Sequence, residues 1–177
     1  MAESKAIPVH ELASTDAAEP VALSFENFFE LERDRLCDLM TLVTGNRSDA
    51  EEIAQDAFVA MWERWDRVQD IDNPTGYLHR TAMNTFRKRY RRAQLFGRVA
   101  VFLSPRTSSE PADAVVMLNE ALWSLTPRQR AALVLTELLG YSAKDAARML
   151  GVKASTIGVL KHRGRMNLKE EVESPDE

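Results

Sequence analysis

Two short helical patterns hinged on one glycine, in residues 141–165 (YSAKDAARMLGVKASTIGVLKHRGR), constrain the fold of this chain more than any other stretch. Ser142 followed three residues later by Asp145 reads as a capping-box-like start, after which Ala143, Ala146, Ala147 and Leu150 recur at helical spacing. The first helix is expected to end near Leu150. Gly151 supplies the left-handed residue of a tight turn, Val152 can plug the angle between the helices, and a second helix is expected over 154–168. On that helix Ile157, Leu160, Gly164 and Leu168 share one side, which leaves Ser155, Thr156, Lys161, His162, Arg163 and Arg165 for solvent or a phosphate backbone. This is the footprint of a helix-turn-helix. The competing reading is an ordinary helical hairpin with a solvated basic face.

A net charge of −4 argues at first against a nucleic-acid partner, but its distribution reverses that impression. Residues 1–72 hold 17 acidic and 6 basic side chains, a net of −11, whereas residues 73–109 hold eight cations and no acid. An acidic first part, a basic middle and a locally basic end suggest two kinds of partner, one of them nucleic acid and the other protein. No run of about 18 apolar residues is present to span a membrane, and residues 1–23 lack the basic start and apolar run of a secretory signal. Their Ala, Glu, Ser and Pro content reads as a disordered leader. Cys37 is the lone cysteine, so an internal disulfide is impossible and a cytoplasmic setting is expected.

Helical signals run through the rest, with no strand-like alternation, so the fold class is all-α. Ser24 can cap a helix over 25–44 that buries Phe25, Phe28, Phe29, Leu36, Leu39, Met40 and Val43, with Cys37 beside that stripe and Gly45-Asn46 ending it. A second helix is expected to start at Ser48 with Glu51 completing a capping box, burying Ile53, Ala54, Ala57, Phe58, Met61, Trp62 and Trp65. Its opposite face, Asp49, Glu52, Gln55, Asp56 and Glu63, is acidic. A polar loop, 66–73, precedes Asn73-Pro74, the cap and first-turn proline of a third helix over 74–92. That helix should bury Leu78, Ala82, Phe86 and Tyr77 and expose Arg80, Asn84, Arg87, Lys88, Arg91 and Arg92. With His79, Tyr77 and Tyr90 nearby, such a face suits phosphates and unpaired bases; no acids are in place for i to i+4 pairing. Residues 94–112, with Gly97, Pro105 and Pro111, read as a flexible linker. A second module follows, with a helix over 113–123, a Thr126-Pro127 cap, a helix over 127–139, and the helix-turn-helix.

Taken in order, these features resemble a known family. DAEEIAQDAFVAMWERW resembles the second conserved region of bacterial sigma factors, GYLHRTAMNTFRKRYRR looks like their promoter-melting helix with Asn84 at the characteristic asparagine, and LTPRQRAALVLTELLGYSAKDAARMLGVKASTIGVLKHRGR resembles the fourth region. With no room for the first and third regions, the chain looks like an extracytoplasmic-function sigma factor over about residues 25–169. The organisation so implied is a leader (1–23), a region-2 module (24–93), a linker (94–112), a region-4 module (113–169) and an acidic tail (170–177). The resemblance implies that Asp49, Glu52, Gln55 and Asp56 dock on the beta-prime clamp helices of core RNA polymerase. It assigns the minus-10 element to Asp70, Asn73, Arg80, Asn84, Arg87, Lys88, Arg91 and Arg92, where an extruded base costs a few kcal/mol that stacking and phosphate contacts must offset. It assigns the minus-35 element to Lys153, Ser155, Thr156, Val159, Lys161, His162, Arg163 and Arg165. An anti-sigma protein is the usual control in the family; no cofactor or metal is expected.

The pattern departs from the family at several positions. Lys153 stands where a capping serine or threonine is usual, a loss of about 1 kcal/mol, and Gly158, Val159, Leu160 and Lys161 follow Ile157 where the family has a Lys or Arg, a Ser, an Arg and a Leu, so two usual cations are replaced by uncharged residues. Gly158 inside a helix costs about 1 kcal/mol relative to alanine while permitting close backbone approach to DNA. Asp145-Ala146-Ala147 replaces a Glu-Ile-Ala, which should loosen that module's core. An enzyme is disfavoured, since His10, His79 and His162 are far apart with no metal spacing and no glycine-rich phosphate loop follows a strand. The alternative function is a stand-alone regulator binding duplex DNA as a dimer.

Overall fold

The computed structural model describes residues 24–95 and 122–173, and within these every regular element is helical. Helix α1 (Phe25–Thr44) starts where Ser24 accepts a hydrogen bond from the Asn27 N–H at 3.2 Å and ends at Gly45, whose φ of 73° lets its N–H return to the Thr41 carbonyl. Helix α2 (Arg47–Trp62) begins one residue before the expected start. Asn46, extended and accepting from the Asp49 N–H at 3.1 Å, is its cap, so the Ser48 capping box does not form; Ser48 lies inside the first turn. Arg47 then ties α2 to α1, with Nη1 2.7 Å from Asp38 and Nε 2.9 Å from Glu51.

The stretch expected as an unbroken polar loop contains a turn of helix, α3 (Trp65–Val68), because Val68 and Trp65 have core to reach. Trp65 packs edge-on to Phe25 and against Phe28, while Phe29 meets Phe58 with centroids 4.9 Å apart. Trp62, expected in the same stripe, is instead 63% exposed: α2 stops there, and Met61 fills the interior position. Asn73 Oδ1 accepts from the Gly76 N–H at 2.7 Å and opens α4 (Pro74–Leu95). That helix runs three residues past the expected end and buries Leu78, Ala82, Met83 and Phe86.

In the second module Thr126 and Gln129 form the reciprocal capping box that opens α5 (Pro127–Leu133). A π-helical turn, Val134–Leu138, continues it, with the Leu139 N–H bonded to the Val134 carbonyl. The extra residue keeps Val134 and Leu135 inside while Glu137 and Leu138 turn outward. Helix α6 (Ala143–Leu150) is capped by Ser142 and closed by Gly151 at φ 63°, and α7 (Ala154–Glu173) follows. Ala146 and Ala147 are buried at this crossing and Ile157 is wholly enclosed. The expected leader, most of the linker, the helix over 113–121 and the end of the tail fall outside the described residues; Leu122 and Trp123 lie in a turn.

The two modules pack on one another, α1 against α5 and α4 against α6. Arg130, 1% exposed, donates from Nη2 to the Thr44 carbonyl at 3.0 Å, at the end of α1 where a cation suits the helix dipole. His79 Nδ1 and the Tyr141 hydroxyl share a hydrogen bond of 2.9 Å, and the Arg128 guanidinium sits 5.6 Å over the Tyr90 ring.

Candidate nucleic-acid interface

On α2 the spacing 49, 52, 56 keeps three carboxylates on one outward row, with Gln55 beside it. Glu52, Gln55 and Asp56 are exposed and Asp49 is half-buried. Apolar surface continues the row, since Val59 is 52% and Trp62 63% exposed, beside a groove of about 710 Å³ between α1 and α2 floored by Phe25, Phe29, Ala54 and Phe58. Carboxylates bordering an exposed tryptophan and valine suit a protein partner with cations around an apolar contact, not a phosphate backbone.

The acidic row is not a free face. Arg89 on α4 reaches across with Nη1 2.6 Å from Glu52 and Nη2 2.8 Å from Asp56, one guanidinium bridging two carboxylates a turn apart. The basic helix thus has acidic partners after all, 33 and 37 residues away in sequence. Neither the pairing nor Arg89 as a participant was readable from local spacing.

The outward side of α4 carries the rest of the basic strip: Arg80, Lys88, Arg91 and Arg92 are exposed and Asn84 and Arg87 half-buried, on successive turns. Asp70 and Asn73 flank the start of the helix in the preceding loop, but the Asn73 side chain is already occupied as the helix cap, pressed so close to Gly76 that a Cβ there would meet it at 2.7 Å. Two aromatic groups expected for stacking on bases are withdrawn: His79 is 8% and Tyr90 7% exposed. Burial holds the His79 imidazole below its ordinary value, with Glu32 opposing that shift. Tyr77 remains half-buried. Arg87 lies against Gly151, where a Cβ would collide with its guanidinium, so the helix-turn-helix corner sits on the basic strip.

The eight residues expected on and just before α7 divide. Lys153, Ser155, Val159, His162 and Arg163 are exposed and face away from the core, and Thr156 is half-buried at the edge. Lys161 and Arg165 point along a flank, where Glu137 holds them at 2.6 and 2.8 Å. Hydrogen bonds from Lys161 and then Arg165 keep the Glu137 carboxyl below its usual range. Among the described residues no group of His, Cys, Asp and Glu is placed to hold a metal ion, and no helix is long and apolar enough to cross a membrane.

This arrangement of an acidic row, a basic helix and a helix-turn-helix corresponds to two known domains: residues 28–96 match Sigma-70 region 2, and residues 116–168 match Sigma-70, region 4. The chain belongs to the extracytoplasmic-function group of the sigma-70 family. This sigma factor is 30% identical over 159 residues to the RNA polymerase sigma-E factor of Streptomyces avermitilis, across 87% of its own length and 88% of that protein's. It is 30% identical over 177 residues to the ECF RNA polymerase sigma factor SigE of Mycolicibacterium smegmatis, covering 92% of this chain and 65% of that one. Its fold is shared with the sigma factor RpoE, solved in complex with the anti-sigma factor NepR from Bartonella quintana, at a TM-score of 0.66 and 23% identity over 87% of this chain and 99% of that one.

Proposed function

We propose that this sigma factor binds core RNA polymerase through α2, opens the minus-10 element with α4 and reads the minus-35 element with α7. The observation that carries this reading is the segregation of charge by face: carboxylates and exposed apolar groups share α2, while Arg80, Lys88, Arg91 and Arg92 share the open side of α4. Glu52, Gln55 and Asp56 with Asp49 beside them form the polymerase contact, bordered by Val59 and Trp62. The basic strip holds the single strand's phosphates, and the exposed side of α7 enters the major groove. The role is one of recognition, with no bond made or broken by the chain, in a cytoplasmic setting. An anti-sigma protein is a further expected partner.

On this reading the docked modules must part. Two elements about 25 base pairs apart are separated by roughly 85 Å of duplex at 3.4 Å per pair, whereas α4 and α6 touch here. Tethering both modules to one polymerase raises the effective concentration of each, so neither needs high affinity alone. Purified chain added to core polymerase should give a holoenzyme peak on gel filtration and promoter-dependent transcripts. Alanine at Arg87, Lys88, Arg91 and Arg92 together should abolish open-complex formation, read by permanganate reactivity, with core binding retained. Binding of a palindromic duplex by a dimer without polymerase would instead support the stand-alone regulator.

A further inference from the structure

Among the described residues nothing requires a glycine at position 158. Its φ is not in the left-handed region, a Cβ built on it would meet nothing within 4 Å, and glycine weakens a helix interior relative to alanine. Gly164 on the same helix shows the contrast, since a Cβ there would press on Leu133 at 2.9 Å and the packing of α7 on α5 requires its absence. A residue that weakens its own helix without serving a neighbour is explained by something that approaches from outside.

The surroundings of Gly158 say what approaches. At 100° per residue, Ser155, Val159, His162 and Met166 lie on the side of α7 opposite the enclosed Ile157, with Gly158 midway between the two on the flank that carries Lys161 and Arg165; Val159 is 49% and Met166 45% exposed. Of the cations on α7, Lys161 and Arg165 are both held on the flank by Glu137, while Arg163, one turn from Val159, is exposed and left for the phosphates that border a groove. A short aliphatic side chain has no hydrogen bond to offer a base edge, and the major groove presents one apolar group by which a base pair can be told apart, the C5 methyl of thymine. Valine is too short to reach it unless the helix backbone comes close.

We propose that Val159 reads a thymine by contact with its C5 methyl in the major groove, and that Gly158 is the gap that lets the backbone of α7 approach near enough for that contact. This rests on the reading of α7 as the duplex-reading helix. The strip of Ser155, Val159 and Met166 is the specificity-determining surface, with Arg163 beside it for phosphate and Lys161 and Arg165 held back on Glu137.

The test uses holoenzyme assembled from the full chain and core polymerase. Promoters are located by sequencing transcripts made in vitro from genomic DNA, and the promoter duplex is then remade with each upstream thymidine replaced singly by deoxyuridine, which removes the methyl alone. One replacement should weaken wild-type binding about four-fold, the worth of one buried methyl group, and leave Val159→Ala unaffected. Gly158→Ala should melt at a higher temperature than wild type yet bind the same duplex roughly ten-fold more weakly, the scale of an overpacked contact. The proposal is overturned if every replacement affects wild type and Val159→Ala equally, or if Gly158→Ala melts higher and binds as tightly; in that case the strip faces protein. Failure to initiate at any promoter would overturn the sigma reading itself, whereas initiation without methyl dependence overturns this inference alone.

Discussion

Arg130 is the most consequential side chain between the two modules, and replacing it separates the worth of its charge from the worth of its packing. Among the described residues the buried guanidinium has no acid beside it: its one hydrogen bond there runs to the Thr44 carbonyl, and Nε has no partner. Burial lowers its pKa to about 10, which corresponds to roughly 3 kcal/mol against the charged form. The hydrogen bond, charge-assisted, returns about 1.5–3 kcal/mol. Arg130→Met removes both terms while keeping most of the stem's volume, so it should leave the fold unchanged or stabilise it by up to about 1.5 kcal/mol. Arg130→Ala removes the stem as well and opens a cavity, so it should fall roughly 2 kcal/mol below wild type. Urea unfolding followed by tryptophan fluorescence reads both, with Trp123 reporting directly because the guanidinium sits 5.8 Å from its ring. The expected order is Met at or above wild type and Ala below both. If Arg130→Met loses more than about 2 kcal/mol, the charge is the stabilising element and the desolvation argument is wrong.

Arg89→Ala should cost about 1 kcal/mol or less, the worth of two half-exposed ion pairs, while raising affinity for core polymerase at low salt because Glu52 and Asp56 lose their internal counter-charge; weaker core binding in a fluorescence titration would show that Arg89 positions the acids. Glu137→Gln should release Lys161 and Arg165, tightening holoenzyme binding to upstream duplex and steepening its salt dependence by between about one and two counterions; an unchanged slope would mean the pairs already open on DNA. Folded His79 is held below its ordinary pKa by burial and so binds fewer protons than unfolded His79. Its contribution to stability is therefore fully present above the unfolded value of about 6.5 and is lost as pH falls from there through the lower folded value. Denaturant midpoints should drop between pH 7 and 5 in wild type, and His79→Gln should lack that component.

What the sequence disclosed and what it hid divide by range. Caps and stops are local chemistry, so Ser24, Gly45, Asn73, Thr126, Ser142 and Gly151 all act where their residue types suggest, and the helix-turn-helix follows from them. Where two local signals compete, the reading slips: Asn46 and Ser48 can both cap a helix, and the left-handed Gly45 delivers an extended backbone to Asn46 first. Stripe periodicity placed Trp62 inside because it cannot see where a helix stops. Charge pairing was least legible. The partners of Arg89 are 33 and 37 residues away, Tyr141 is 62 from His79 and Thr44 is 86 from Arg130, distances at which i to i+4 reasoning has no purchase. Of the expected site residues, Glu52, Gln55 and Asp56 on α2 and Arg80, Lys88, Arg91 and Arg92 on α4 are outward, Asp49, Asn84 and Arg87 are half-buried, and two of the cations on α7 are already held by Glu137.

That last contrast bears on the order in which the proposed partners must arrive. Arg89 stands between the two faces: it neutralises part of the acidic row on α2 while lying one turn from Arg92 on α4. On the proposed docking, cations of a polymerase surface would take over Glu52 and Asp56, and the freed guanidinium would add a charge to the strip proposed to hold DNA. Without polymerase the same guanidinium is withheld from DNA, Arg87 is pressed on the Gly151 corner, and the modules are docked. Each contact is weak alone, since the pairs are half-exposed and Arg130 carries the cost of its own burial, so a partner that competes for several of them at once can separate the modules. On that reading the free chain should bind promoter duplex weakly and the holoenzyme tightly through the same side chains, and equal affinity of the two in a fluorescence titration would refute it.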